Sequence, residues 1–329
     1  MTDHIDLTTI AYKEHVIPSD TAGINLFIRN KRPITMERFA PETTIVMVHG
    51  ATYSSSSLYD VPLGGFSFMD FLASRGFDVF AVDVRGYGKS TRSETMEMDP
   101  SLNLPLVGTD FGVRDFSSAV DFVLHHRNLE KVNVFAMSWG GTVVGAYTAR
   151  NPNKVLKLSM LAPQWLSDKP LRLDTGGELA AYRLVPVKDT LPRWVGTVPQ
   201  YARSSIVPKG WFEQWADATL EEDPWSEQKE PGKLRAVNGP IQDIRSYWRA
   251  GKPYYQPSDI TVPVLLLHGE WDVDVPIDLA LAYFQQLTSA PHRLWIEIGE
   301  ATHMALLEKN RMRAFTAISE FFNLEYQSE

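Results

Sequence analysis

The chain has 329 residues, 44% hydrophobic and 22% charged, with 21 glycines and 21 prolines, a composition that excludes a disordered, collagenous or coiled-coil protein. Lys plus Arg number 32 against 40 Asp plus Glu, for a formal charge of −8. The sequence has no basic stripe of the kind a phosphate backbone requires, which argues against nucleic acid as a partner. There is no cysteine, so disulfides, thiolate metal sites and sulfur redox chemistry are excluded. Met1–His15 has no apolar h-region, and no later run approaches the roughly 18 to 20 apolar residues of a membrane span. These features set the expectation of a cytoplasmic protein with no membrane partner.

In chain order, two short alternating stretches, Ile10–Val16 and Ile24–Arg29, are separated by turn-forming residues and predict an antiparallel hairpin at a sheet edge. Apolar, β-branched runs follow at Thr44–Val48, Phe77–Val82, Val132–Ala136, Leu156–Leu161, Val264–Leu267 and Leu294–Ile298, each a predicted strand. Between them, Phe68–Arg75, Phe111–His126, Thr142–Arg150, Ile277–Leu287 and Met304–Phe322 repeat apolar residues at three and four, the spacing of helices that lie on a sheet. The alternation predicts an α/β fold: a mostly parallel central sheet with helices on both faces. The rhythm breaks between Pro163 and Pro263, which holds 12 of the 21 prolines and six of the nine tryptophans. This segment reads as an inserted helical cap, with helical pieces at Gly177–Leu184 and Trp211–Leu220. The expected division is a core of 1–162 and 258–329 and a cap of 163–257.

Four strand ends carry chemistry. Val132 to Met137 is a β-branched strand that leads through Ser138 directly into a helical segment, with small Ala136 and Gly140 two residues on either side of the serine. That is the strand-turn-helix setting of a nucleophile elbow, whose tight turn requires small neighbours. The strand Val46–Val48 ends in His49-Gly50, and the next amide, that of Ala51, is placed to form an oxyanion hole with the amide of Trp139; Thr52 is the alternative donor. His49 reads as a residue that holds this turn. Asp272 and Asp274 follow the strand Val264–Leu267, and His303 follows Leu294–Ile298. His4, His15, His125, His126, His268 and His292 have no comparable context and read as surface or structural residues.

Serine, acid and histidine in that order, each after a strand, bring a known family into view. The chain resembles the cap-bearing branch of the α/β-hydrolase superfamily over essentially its whole length. The resemblance rests on His49-Gly50, Asp83-Val84-Arg85-Gly86-Tyr87-Gly88-Lys89-Ser90, the Ser138 elbow, Gly269-x-x-Asp272 with Pro276, and His303. It implies Ser138 as nucleophile, His303 as base and then acid, and, from the family's spacing to the proline, Asp272 rather than Asp274 as the partner of the histidine. It also implies that Asp83–Ser90 is a structural turn; that segment has no G-x-x-x-x-G-K-[ST] pattern. No metal-ligand spacing occurs, and no cofactor is expected.

The serine-hydrolase reading anticipates cleavage, through an acyl-enzyme, of a carboxylic ester or lactone of a mid-sized apolar or aromatic substrate. A proline-type aminopeptidase, to which Ser138-Trp139-Gly140 is similar, and a hydrolase of carbon–carbon bonds in dienoates would use the same triad, and a ligand receptor would use the same fold. An aminopeptidase requires acidic cap residues, for which Glu213, Asp217, Glu221, Glu222 and Asp223 are candidates. Substrate contacts are expected from Tyr53, Leu58 or Tyr59 in the 52–65 connection and from Trp165 at the start of the cap. The anticipated partners are a small-molecule substrate and, at most, further copies of the chain.

Overall fold

Strands β3 (Thr44–Val48), β4 (Asp78–Val82), β5 (Val132–Met137), β6 (Val155–Leu161), β9 (Val264–Gly269) and β10 (Arg293–Ile298) run parallel. Of these, β3, β4, β5 and β9 are buried along their entire length, as expected of apolar strands covered on two sides. The hairpin of β1 (Ile10–Pro18) and β2 (Asn25–Pro33) joins β4 antiparallel, which gives an eight-stranded sheet of order β1-β2-β4-β3-β5-β6-β9-β10. These elements are those of a computed structural model, which describes residues 5–169 and 171–326. His4 lies outside the described residues.

The helices are α1 (Ser55–Tyr59), α2 (Phe68–Ser74), α3 (Thr109–Arg127), α4 (Trp139–Arg150), α5 (Leu191–Val195), α6 (Trp211–Glu221), α7 (Pro224–Lys229), α8 (Gly239–Asp243), α9 (Ile277–Gln285) and α10 (Arg311–Asn323). α3 packs with α4 and α2 with α10, and helices cover both faces of the sheet. A parallel sheet brings the carboxyl ends of β3, β5, β9 and β10 to one edge, so the segments holding Ala51, Ser138, Asp272 and His303 emerge side by side.

Between β6 and β9 no described residue joins the central sheet. This stretch holds α5 to α8 and an antiparallel ribbon of β7 (Tyr182–Pro186) and β8 (Lys233–Val237), with Tyr182 opposite Val237. One expectation needs correction: Gly177–Leu184 is not helical, since Tyr182–Leu184 belongs to β7. The 52–65 connection holds α1, which Ser54 caps by accepting from the Ser57 amide, and Ser54–Tyr59 is buried. From this stretch, Trp165, Trp194, Phe212 and Trp215 belong to the same continuous apolar cluster as the sheet. Among the described residues no helix is long and apolar enough to cross a membrane.

Candidate active site

Ser138 links β5 to α4 with φ 56° and ψ −127°, a region costly for a residue with a Cβ and one that other contacts must hold. Its amide donates to the Leu161 carbonyl and its own carbonyl accepts from the Gly141 amide, both at 2.9 Å. The crowding around it explains the small neighbours. A Cβ on Gly140 would lie 2.3 Å from the His49 carbonyl oxygen and 3.1 Å from the Ala136 Cβ, so even alanine is excluded at 140, whereas Ala136 fits.

α4 starts at Trp139, whose amide therefore has no acceptor within the helix. The Trp139 indole turns away from the site and donates to Thr109 Oγ1 at 3.0 Å. Across the strand edge, His49 Nδ1 donates to the Gly50 carbonyl at 2.7 Å and His49 Nε2 accepts from the Val84 amide at 3.1 Å. Holding the Gly50 carbonyl this way fixes the Gly50–Ala51 peptide, and a trans peptide then points the Ala51 amide in the opposite direction. Burial pulls the His49 pKa down to about 4, in keeping with a neutral ring. The Ala51 carbonyl accepts in turn from the Tyr87 hydroxyl at 3.0 Å.

His303 Nδ1 donates to Asp272 Oδ2 at 2.8 Å. Asp272 Oδ1 is already taken by the amides of Asp274 and Val275, each at 2.9 Å, so the carboxylate cannot swing away. Asp274 pairs instead with Arg193 at 2.7 Å. This geometry separates the two candidate acids: Asp272 contacts the imidazole and Asp274 does not. Burial lowers the His303 pKa, but the charge and hydrogen bond of Asp272 outweigh it and the net shift is upward.

Ser138, Ala51, Thr52, Tyr53, Leu58 and His303 line one cavity at this edge, together with Leu171, Leu173, Trp194 and Arg193 from the stretch between β6 and β9. Tyr53 packs edge-on against Trp215, with ring centroids 4.9 Å apart. Two expected substrate contacts lie elsewhere. Tyr59, turned inward by α1, donates to the Val48 carbonyl at 2.8 Å and packs on Phe68 and Phe135 in the core. Trp165 packs on Trp248 and Tyr283, outside this cavity.

Sequence reasoning missed Glu308. This buried carboxylate accepts from the Thr302 amide at 2.8 Å, from the Thr302 hydroxyl, and from Trp194 Nε1 at 2.6 Å, tying the His303 loop to α5. The available signal was a single acid in the otherwise apolar run that follows His303. Among the described residues no group of three or more His, Asp or Glu is placed to hold a metal ion.

A family model described as the alpha/beta hydrolase fold matches residues 43–310. A search of curated proteins finds no match. Similar solved structures include 2-hydroxy-6-oxo-6-phenylhexa-2,4-dienoate hydrolase from Rhodococcus sp. strain RHA1, at 18% identity and TM-score 0.61, covering 96% of this chain and 100% of that one. A meta-cleavage product hydrolase from Pseudomonas fluorescens IP01 aligns at 15% identity and TM-score 0.62, over 94% and 97% of the two chains. A thermophilic esterase from Thermogutta terrifontis aligns at 16% identity and TM-score 0.58, over 94% and 98%.

Proposed function

The chain belongs to the alpha/beta hydrolase fold family, and from that premise we propose that it is a serine hydrolase that cleaves a carboxylic ester or lactone of a mid-sized apolar acid through an acyl-enzyme. Ser138 Oγ attacks the carbonyl carbon while His303 takes the hydroxyl proton. The carbonyl electron pair moves onto the substrate oxygen, which faces the Ala51 and Trp139 amides. Collapse expels the alcohol oxygen, which is protonated by His303, and water repeats the sequence to release the acid. Asp272 holds the imidazole in the tautomer that keeps its other nitrogen free for the serine proton. The observation that carries the reading is the 2.8 Å contact between His303 and a saturated Asp272, with His303 and the strained Ser138 lining one cavity.

The acidic cap residues that an aminopeptidase would need are engaged away from the cavity. Asp217 pairs with Lys188, Glu222 with Arg29 and Asp223 with Arg235, while Glu213 and Glu221 are exposed and do not line it. The cavity instead carries two arginines, Arg172 and Arg193, against the single carboxylate of Asp274 at its wall. That excess of positive charge favours one second reading, a carbon–carbon bond hydrolase acting on a substrate that carries its own carboxylate.

The test is a fluorophosphonate label followed by turnover of p-nitrophenyl esters and of a dienoate. Labelling should fall on Ser138, and Ser138→Ala should lose label and about a thousandfold or more of the rate while keeping its melting temperature. Retention of a tenth of the wild-type turnover would overturn the assignment. Faster cleavage of the dienoate than of any ester would select the second reading.

A further inference from the structure

The loop after β3 is held from the cap as well as from the core. Arg183, on β7, donates to the Thr52 hydroxyl at 2.7 Å and to the Ala51 carbonyl at 3.4 Å. On its own ribbon it donates to the Val237 carbonyl at 3.0 Å and to Asn238 Oδ1 at 3.1 Å. Every one of these acceptors is neutral, and among the described residues no carboxylate pairs with this part-buried guanidinium.

Other enclosed arginines are treated differently. Arg85, Arg127 and Arg235 face Asp115, Asp78 and Asp223. Arg311 pairs with no carboxylate among the described residues, but it is covered by the rings of Phe66, Trp211 and Phe315. Arg183 has neither kind of partner. A cation drawn out of water with no opposite charge raises the energy of the resting protein, and burial pulls its pKa below the ordinary arginine value. Such an arrangement is relieved when a negative charge appears beside it. Under the function proposed above, that charge develops at the oxyanion position, next to the two residues that Arg183 grips.

We infer that Arg183 is a positioning residue lent by the cap, whose positive charge acts through the Ala51 carbonyl and the Thr52 hydroxyl to stabilise the oxyanion formed in acyl transfer. The inference rests on the serine-hydrolase reading of Ser138. Its contact with Ala51 holds the peptide that follows the amide donor. Its contact with Thr52 occupies a lone pair of Oγ1 and leaves the hydroxyl proton, which has no acceptor among the described residues, to donate elsewhere. Successive hydrogen bonds polarise one another, so that proton becomes a stronger donor, and Thr52 lines the cavity. A neutral ester carbonyl draws little from this field and a developing alkoxide draws much, so the effect belongs to kcat rather than KM.

The experiment compares wild type with Arg183→Met, Arg183→Lys, Thr52→Val and Thr52→Ser. The substrate is p-nitrophenyl butyrate, and an arylboronic acid that forms a tetrahedral anionic adduct on serine reports oxyanion binding. Arg183→Met should lower kcat by about 10- to 100-fold, less than the loss of a direct oxyanion donor, and weaken the boronate by the same factor, with KM within about twofold. Arg183→Lys and Thr52→Ser should restore most of both, and Thr52→Val should lose both. Unchanged kcat and boronate affinity in Arg183→Met, or a parallel change in KM and boronate affinity, would overturn the inference. If Arg183→Met does not fold, wild-type kcat and boronate affinity in Thr52→Val overturn it instead. A wild-type chain that neither hydrolyses the ester nor binds the boronate fails before any variant is made; the serine-hydrolase reading then falls, and the inference with it.

Discussion

In the proposed mechanism the imidazole of His303 is charged and uncharged at different moments, and its surroundings set the pH at which each form dominates. Asp272 raises its pKa above the ordinary value of about 6.5 in spite of burial. Only the neutral ring accepts the Ser138 proton, so kcat/KM should rise with a midpoint above 6.5. Asp272→Asn should move that midpoint down, because the charge that holds the proton is gone. A midpoint unmoved by this substitution, with chemistry rate-limiting, would remove His303 as the base. The sign for stability is the reverse. The histidinium–Asp272 pair contributes fully below about 6.5 and its contribution is lost as pH rises through the raised value. The chain should therefore give up a small part of its stability over the same interval in which it gains activity. Ser138, His303 and Asp272 were legible as types on successive strand ends. Glu308 was not, because its role depends on Trp194 arriving from a helix more than a hundred residues away.

α1 shows how a five-residue element redirects side chains. Once Ser54 caps it, Leu58 faces the cavity and Tyr59 faces the core, a division that the residue types along 52–65 do not by themselves provide. The β7–β8 ribbon escaped sequence reading for a related reason. Glu178-Leu179-Ala180-Ala181 are helix formers, and the partner that makes Tyr182–Pro186 a strand lies near residue 235, so tertiary pairing overrides local preference. The tryptophans of the cap now separate by place. Trp165→Ala removes a ring packed between Trp248 and Tyr283 and should cost about 3 to 5 kcal/mol while preserving the preference between p-nitrophenyl acetate and a bulky ester. Trp194→Ala opens the cavity wall and should shift that preference towards the bulky ester. Thermal melts paired with kcat/KM for both esters check the two variants, and an identical substrate ratio in both would remove Trp194 from the pocket's specificity.

Across the whole molecule, charge is used to join cap and sheet. Glu222, at the end of α6, meets Arg29 of β2 at 3.2 Å. Burial, followed by the nearby Asp83 carboxylate, pushes its pKa up to about 7. A carboxyl raised this far costs stability as pH rises from its unfolded value near 4.5 through about 7, because only the unfolded chain ionises freely in that window. Glu222→Gln should gain about 1 to 3 °C in Tm relative to wild type between pH 5 and pH 7, and a difference constant with pH would refute this account. The parallel sheet could be read from its apolar runs, because buried strands need little context to be recognised. How the cap sits could not, because it depends on contacts such as this one. The apolar cluster that runs unbroken from the sheet into Trp165, Trp194, Phe212 and Trp215 has a consequence for traffic. A cover that swung away as a body would strip water-averse surface from both sides at once, so the cap is better described as a roof than as a door. Of the residues lining the cavity, Arg172, Thr197 and Val273 are exposed, and an opening there would take only the turning of single side chains, a nanosecond event, rather than the slow closure of a domain.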